Sequence, residues 1–344
     1  MRQILNTLYI MTPNAYVHLD NNTLRIEVER EKKMQVPLHH IGSVVCFGDV
    51  MVSPGAMHRC AEEGRNLVFL DRNGRFKARL EGPVSGNILL RQAQFHAVDN
   101  AAFVMETAKS MVAGKLRNAR QVLLRGAREA ENAQDQVKLS KAAESLAASI
   151  RSLSIADSLD IVRGIEGEAA KTYFSNLNYL VRSDMRDNFS MNGRSRRPPL
   201  DRFNALLSFM YAMVMNDCRS ALESVGLDPQ LGFLHVVRPG RAALALDLME
   251  EFRAVLADRL VLTLINRRQV SENDFVERPG GAIHMQDGTR KTVVVAYQER
   301  KQEEVTHPLL DHKVPIGLLP DLQARLLART IRGETEGYLP FLIK

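Results

Sequence analysis

The sequence predicts an α+β chain, with a β-sandwich-like domain over residues 1–90 and a mostly α-helical domain over 91–344. Three observations carry that expectation. Up to about residue 85, apolar residues alternate with polar ones in short runs. Asn, Asp and Gly punctuate those runs. From about residue 95 the apolar residues recur at helical spacing instead.

In the strand-rich part, TLRIEVER places Leu24, Ile26 and Val28 on one face and its charges on the other. Asp20-Asn21-Asn22 before it is turn chemistry, and HHIGSVVCFG is a short buried run. SPGAMHRCAEEG reads as one inserted helix, capped by Ser53, begun by Pro54 and closed by Gly64. NLVFLD and RFKARL flank Arg72-Asn73-Gly74, where Asn-Gly marks a tight hairpin.

The second part opens with two long, alanine-rich amphipathic segments, AAFVMETAKSMVAGKLRNARQVLLRGARE and QDQVKLSKAAESLAASIRSLSIADSLDIV. LDRFNALLSFMYAMVMNDCRSALESVG and ALALDLMEEFRAVLADRLVLTLINRR continue the helical body. Met210, Met213 and Met215 read as core filling. Between the first and second pair lies the loop SDMRDNFSMNGRSRRPPLD, whose Pro198-Pro199 suits the first turn of the next helix. GGAIHMQDGTRKTVVVAYQ reads as a hairpin about Asp287-Gly288, and PDLQARLLARTIRG as a last helix.

Composition bounds the function. A chain of 344 residues, 45% hydrophobic and 25% charged, is typical of a soluble globular protein with room for two cores. No apolar run approaches the roughly 18–20 residues that span a bilayer, so no membrane role is expected. The start MRQILNTLYIMTPNAYVHLD lacks a basic region followed by an apolar core, and Cys46, Cys60 and Cys218 are widely spaced. Both features predict a reducing, cytoplasmic setting. A net charge of +6 favours a polyanionic partner. Arg182, Arg186, Arg194, Arg196 and Arg197 cluster in and beside the proline-ended loop, where they suit DNA phosphates or, equally, a solvated connection.

One charge is out of place. Ile155, Leu159, Val162, Glu166, Ala169, Ala170 and Tyr173 share a helical stripe, an ordinary core seam except for Glu166. A carboxylate there needs a positive partner: a metal ion, or an ion pair such as Arg163 or Lys171. Downstream, GFLHVVRPGRAALALDLMEEFR offers His235, then Asp247, Glu250 and Glu251. Asp247 and Glu250, three apart, project from nearly one side of a helix. One imidazole with two or three carboxylates suits an oxygen-rich divalent metal site. The same spacing is common on solvated helix faces, and a lone histidine is more often structural than a ligand.

The strings GIEGEAAKTYF, NALLSFMYAMV and GFLHVVRPGRAALALDLMEEFR, in this order, resemble the CRISPR adaptation integrase-nuclease family. The resemblance spans most of the chain, and its length and ending, DLQARLLARTIRGETEGYLPF, look most like the subtype I-C branch. It implies antiviral defence by a DNA endonuclease and integrase, in which a protospacer 3′-hydroxyl attacks the CRISPR repeat in a transesterification. It implies Mg²⁺ or Mn²⁺ held by Glu166, His235 and Glu250, with Asp247 reaching the metal through water. Some members carry Asp at the Glu250 position, so the resemblance leaves open which of Asp247 and Glu250 binds directly. It makes Arg253 an orienter of a carboxylate or a phosphate contact, and Asn204, Ser208 and Tyr211 a supporting face near the site. It implies a homodimer joined through the amino-terminal β domain, and a small second CRISPR adaptation protein as partner. The competing expectation is a non-catalytic nucleic-acid-binding scaffold whose carboxylates are structural ion pairs.

Overall fold

The computed structural model describes residues 6–82 and 88–343. The chain divides into two compact units, Met1–Ser85 and Gly86–Lys344.

The first unit contains β1 (Asn6–Ile10), β2 (Tyr16–Asp20), β3 (Thr23–Val28), β4 (Glu31–Pro37), β5 (Ile41–Phe47), β6 (Met51–Val52), α1 (Pro54–Glu62), β7 (Asn66–Leu70) and β8 (Phe76–Arg79). They form two four-stranded sheets, ordered β1-β5-β7-β8 and β4-β3-β2-β6. Val17, Leu24 and Ile26 of one sheet share a core with Ile10, Val44 and Leu67 of the other, as alternation required. Local chemistry is as expected at three places. Asn21 takes a positive φ of 54° between β2 and β3. Ser53 accepts the Ala56 amide at 3.2 Å to cap α1. Asp71 Oδ1 accepts the amides of Asn73 and Arg75, each at 2.9 Å, and so ties the β7–β8 turn. The sandwich differs from a hairpin-only one because β1, β5 and β7 pair in parallel, and α1 lies in the crossover between β5 and β7.

The second unit begins with α2 (Ile88–Asp99), α3 (Ala101–Arg128), α4 (Ala133–Ser154), α5 (Leu159–Asn176), the single turn α6 (Ser183–Arg186) and α7 (Arg202–Val225). Asparagine or aspartate starts three of the long helices: Asn100, Asn132 and Asp201 accept amides at 3.1, 2.8 and 2.6 Å. Asp201, rather than the proline pair before it, therefore begins α7. Ala108, Val112 and Leu116 of α3 pack on Leu153 of α4 and on Val162 and Ala169 of α5. Ile155, placed in that seam by spacing, is instead 83% exposed, because α4 ends at Ser154 and the chain turns before α5.

After α7 come α8 (Ala243–Met249), a tight 3-10 turn over Glu250–Phe252, a π-helical turn over Arg253–Asp258, and α9 (Arg259–Asn266). Next are β9 (Phe275–Arg278), β10 (Ala282–Met285), α10 (Asp287–Gln302), β11 (Glu304–His307), β12 (His312–Pro315) and α11 (Leu319–Ile331). The expected hairpin is displaced: β9 and β10 turn at Gly280 and Gly281, with φ of +88° and +76°, whereas Asp287-Gly288 begins α10. Among the described residues, no helix is long and apolar enough to cross a membrane.

Candidate active site

Lys115 of α3 stands at the middle of a charged cluster. Its Nζ meets Glu166 Oε1 of α5 and lies 2.7 Å from Glu250 Oε2. His235, in the loop between α7 and α8, turns Nε2 towards Glu250 Oε1 at 3.8 Å. Arg253 Nη2 meets that same Glu250 oxygen at 2.9 Å. Glu166 and Glu250 thus meet at one ammonium, and His235 joins them through Glu250, from three separate segments. The partner of Glu166 is Lys115 and not Arg163, which is held by Asp160 at 2.9 Å and by the Leu234 carbonyl at 2.8 Å.

Glu250 is 3% exposed, and an unpaired charge there would cost several kcal/mol. Burial works to raise its pKa, but the charges of Arg253 and Lys115 outweigh it and hold the group at about 2. Asp247 lies one turn earlier and is fully buried. Its carboxylate accepts the amides of Phe233, Leu234 and His235 at 2.6, 3.0 and 2.9 Å, and faces His235 Nδ1 at 2.6 Å. A Cβ on Gly232 would come within 2.6 Å of Asp247 Oδ2, so glycine is needed for this loop to wrap the carboxylate. The Asp247 bond puts the ring proton on Nδ1 and leaves the Nε2 lone pair facing the cluster. Glu251 points the opposite way, to Tyr338, Phe341 and Gln323.

Behind Glu250 runs a stacked relay. The guanidiniums of Arg253 and Arg194 lie 4.8 and 5.3 Å from the ring centre of Tyr211. Arg194 donates to Asn204 Oδ1 at 2.7 Å and to Ser208 Oγ at 3.2 Å, so Asn204, Ser208 and Tyr211 form one face that holds Arg194. Tyr211 and Tyr173 both donate to Asp258, at 2.7 and 2.9 Å. Burial raises the Asp258 carboxyl to about 6, against the two hydroxyls and the arginines that lower it. Tyr173, expected as packing alone, is a hydrogen-bond donor here. The π-helical turn makes this possible: its wider, i→i+5 turn brings Arg253 and Asp258, five apart, to the same aromatic ring.

The basic loop divides. Arg186 pairs with Asp135 at 2.9 Å and Arg182 with Asp184 at 3.4 Å, while Arg194 turns inward as described. Arg196 and Arg197 stay exposed. Lys115 and Asp258 were not singled out by pattern. Lys115 sits in an ordinary amphipathic helix, and the one local signal was its neighbour Gly114, a glycine inside a helix.

The donor set suits a divalent cation of the Mg²⁺ or Mn²⁺ type: two carboxylates and an imidazole with its lone pair directed inward. Glu250 Oε2 is buried without an aligned hydrogen bond and is met only by the ammonium charge. As placed, no three His, Cys, Asp or Glu side chains among the described residues converge closely enough to hold a metal. Lys115 lies between Glu166 and Glu250, so a cation there would need that ammonium to leave and the two carboxylates and His235 to close up. On the outer side, a Cβ at Gly164 or Gly167 would meet nothing within 4 Å, so the helix around Glu166 presents an open face.

Residues 8–299 match the family model for CRISPR associated protein Cas1. The chain belongs to the Cas1 family. The Moorella thermoacetica protein named CRISPR-associated endonuclease Cas1 1 is 59% identical over 344 residues, covering 100% of both sequences. The Rhodospirillum rubrum protein named CRISPR-associated endonuclease Cas1 2 is 49% identical over 348 residues, again covering 100% of both. The solved structure of a CAS1 protein from Thermotoga maritima superposes with a TM-score of 0.82, covering 96% of this chain and 98% of that one. At 23% identity that likeness concerns the fold, which is the Cas1 fold of strand-rich sheets followed by a helical domain.

Proposed function

We propose that this Cas1-family chain is a metal-dependent DNA endonuclease and integrase that inserts spacers into a CRISPR array. The carrying observation is that Lys115 joins Glu166 to Glu250 while His235 turns its Nε2 to the same Glu250, from segments far apart in sequence. The names of the relatives support the nuclease class. In this reading Glu166, His235 and Glu250 hold Mg²⁺ or Mn²⁺, which when bound would polarise a phosphodiester and stabilise the charge that develops on it. The chain's own groups prepare that step. Asp247 fixes the His235 ring and its tautomer. Arg253 orients Glu250. Lys115 neutralises both carboxylates before metal arrives and is then free to face a substrate phosphate. The acceptor phosphodiester is attacked by a protospacer 3′-hydroxyl in strand transfer, or by water in hydrolysis.

Arg196 and Arg197 are the exposed phosphate contacts of the basic loop. A homodimer through the first unit, a small second adaptation protein, a cytoplasmic setting and a subtype I-C character complete the reading. One observation favours the scaffold alternative: Lys115 already satisfies the carboxylates as an ion-paired cluster. A labelled protospacer and a CRISPR-repeat duplex, incubated with Mn²⁺ or with EDTA, separate the two. Joining that needs Mn²⁺ and disappears in Glu166→Ala, with DNA binding retained, supports the enzyme. Binding without joining in either ion sinks it.

A further inference from the structure

We propose that the cleft between α3 and α9 is a second phosphate-binding site, made for the backbone of a nucleic acid strand and separate from the Lys115 cluster. The proposal rests on the reading above that the chain acts on DNA.

The cleft encloses about 340 Å³ and is walled by Arg125 and Arg128 of α3, by Glu129 at its end and by Arg259 of α9. Three guanidiniums therefore face a single carboxylate, and Arg125 already takes Glu129 at 2.8 Å. Arg128 and Arg259 have no ion-pair partner among the described residues. Arg300, whose charge also reaches Arg259, is itself paired with Glu303. Burial, then the neighbouring charges of Arg300 and Arg125, lowers the pKa of Arg259. Glu303 and Glu129 offset only part of this, being two carboxylates, each already paired, among four guanidiniums, and a bound oxyanion would remove the remaining cost. A guanidinium fork matches two phosphate oxygens at once, which suits phosphate better than a carboxylate-free surface of lysines would.

Position separates this cleft from the reaction centre. Arg125 is ten residues beyond Lys115 on α3. That is about 15 Å along the axis and about a quarter-turn around it. A phosphate in the cleft is consequently not the reacting one. Arg125 and Arg128 are exposed on the flank of the helix, so the cleft opens sideways. That geometry suits a strand passing across it rather than an enclosed free phosphate.

The test is the salt dependence of binding of a labelled DNA duplex, measured by fluorescence anisotropy in EDTA. Replacing Arg128 and Arg259 together by Gln is expected to lower the slope of log K against log salt by about 2, since each phosphate contact contributes ~0.9. Lys at both positions keeps the charge and is expected to restore the slope, which a merely structural role would not produce. If Arg259→Gln fails to fold, Arg128→Gln alone, on the exposed flank, is expected to lower the slope by about 1. Unchanged slopes in Gln variants, with wild-type protein binding DNA normally, overturn the inference. So does calorimetric binding of pyrophosphate that Arg128→Gln abolishes while the DNA slope stays fixed, which identifies a small-phosphate site instead. Wild-type protein that neither binds nor cuts DNA defeats the functional reading itself, and this inference with it.

Discussion

Asp247 Oδ1 lies 2.6 Å from His235 Nδ1, and three consecutive backbone amides point at the same buried carboxylate. The loop that carries His235 is wound around Asp247, so imidazole orientation and loop conformation depend on one side chain. Asp247→Asn leaves a single acceptor oxygen for four donors. Orienting groups of this kind are typically worth 10–100-fold in metal affinity or activity. A fall in strand joining of about that size is expected, with a weaker apparent affinity for Mn²⁺ in single-turnover titrations. Joining lost at an unchanged Mn²⁺ affinity would mean that the loop, and not the imidazole, had been disturbed.

Lys115 offers a second prediction, because its ammonium is the positive charge that meets both Glu166 and Glu250. Lys115→Met leaves two carboxylates facing each other, one of them in a buried position. Removing one partner of such a pair costs about 3–5 kcal/mol in buried cases. The variant should melt earlier than wild type in EDTA and recover more on addition of Mn²⁺, since the cation replaces the lost charge. Thermal melts of both proteins with and without Mn²⁺ decide it. Equal Mn²⁺-induced shifts would remove Lys115 from the cation's place.

That Glu166, His235 and Glu250 belong together was legible in the sequence, because Glu166 breaks an apolar stripe and because three motifs stand in order. Their surroundings were not. The partner of Glu166 is Lys115, 51 residues earlier on another helix, and no spacing rule couples those positions. At 3.6 residues per turn, Arg253 and Asp258 fall about 140° apart; the π-helical turn that brings both to Tyr211 has no local sequence signal. At residues 280–288 two turn signals competed, and Gly280-Gly281, able to take positive φ at both positions, prevailed over Asp287-Gly288. The parallel pairing of β1, β5 and β7 was also hidden, because alternation reports which face is buried and not strand direction.

Glu251 predicts a pH dependence of stability. It is 1% exposed, and burial raises its pKa to about 8, against the hydrogen bonds from Tyr338, Phe341 and Gln323 that lower it. A carboxyl whose folded pKa lies above its unfolded one holds a proton in the native state that the unfolded chain has released. Its contribution is therefore complete below the unfolded value of 4.5 and is lost as pH rises through about 8. Urea midpoints of wild type should fall between pH 5.5 and 8.5 by more than those of Glu251→Gln. Parallel profiles would mean that Glu251 is ionised throughout, its three donors having outweighed burial.

Two helix glycines should respond oppositely to the same substitution. At Gly164 of α5 an added methyl meets nothing within 4 Å. Alanine there gains helix propensity, up to about 1 kcal/mol. At Gly114 of α3 the methyl would come within 2.5 Å of Pro340 Cβ and 2.9 Å of its Cγ. Pro340 cannot easily retreat, because its neighbours are pinned. The Phe341 amide donates to Glu251 and its carbonyl accepts from Asn118 Nδ2 at 2.8 Å, while the Ile343 amide donates to Asn118 Oδ1 at 3.0 Å. Overpacking of this kind costs typically 1–3 kcal/mol, enough to outweigh the propensity gain. Gly114→Ala is therefore expected to lower the unfolding free energy in urea and Gly164→Ala to raise it. Because Gly114 adjoins Lys115 and Pro340 lies close to the Glu251 clamp, Gly114→Ala should also slow strand joining, whereas a variant destabilised equally elsewhere should not.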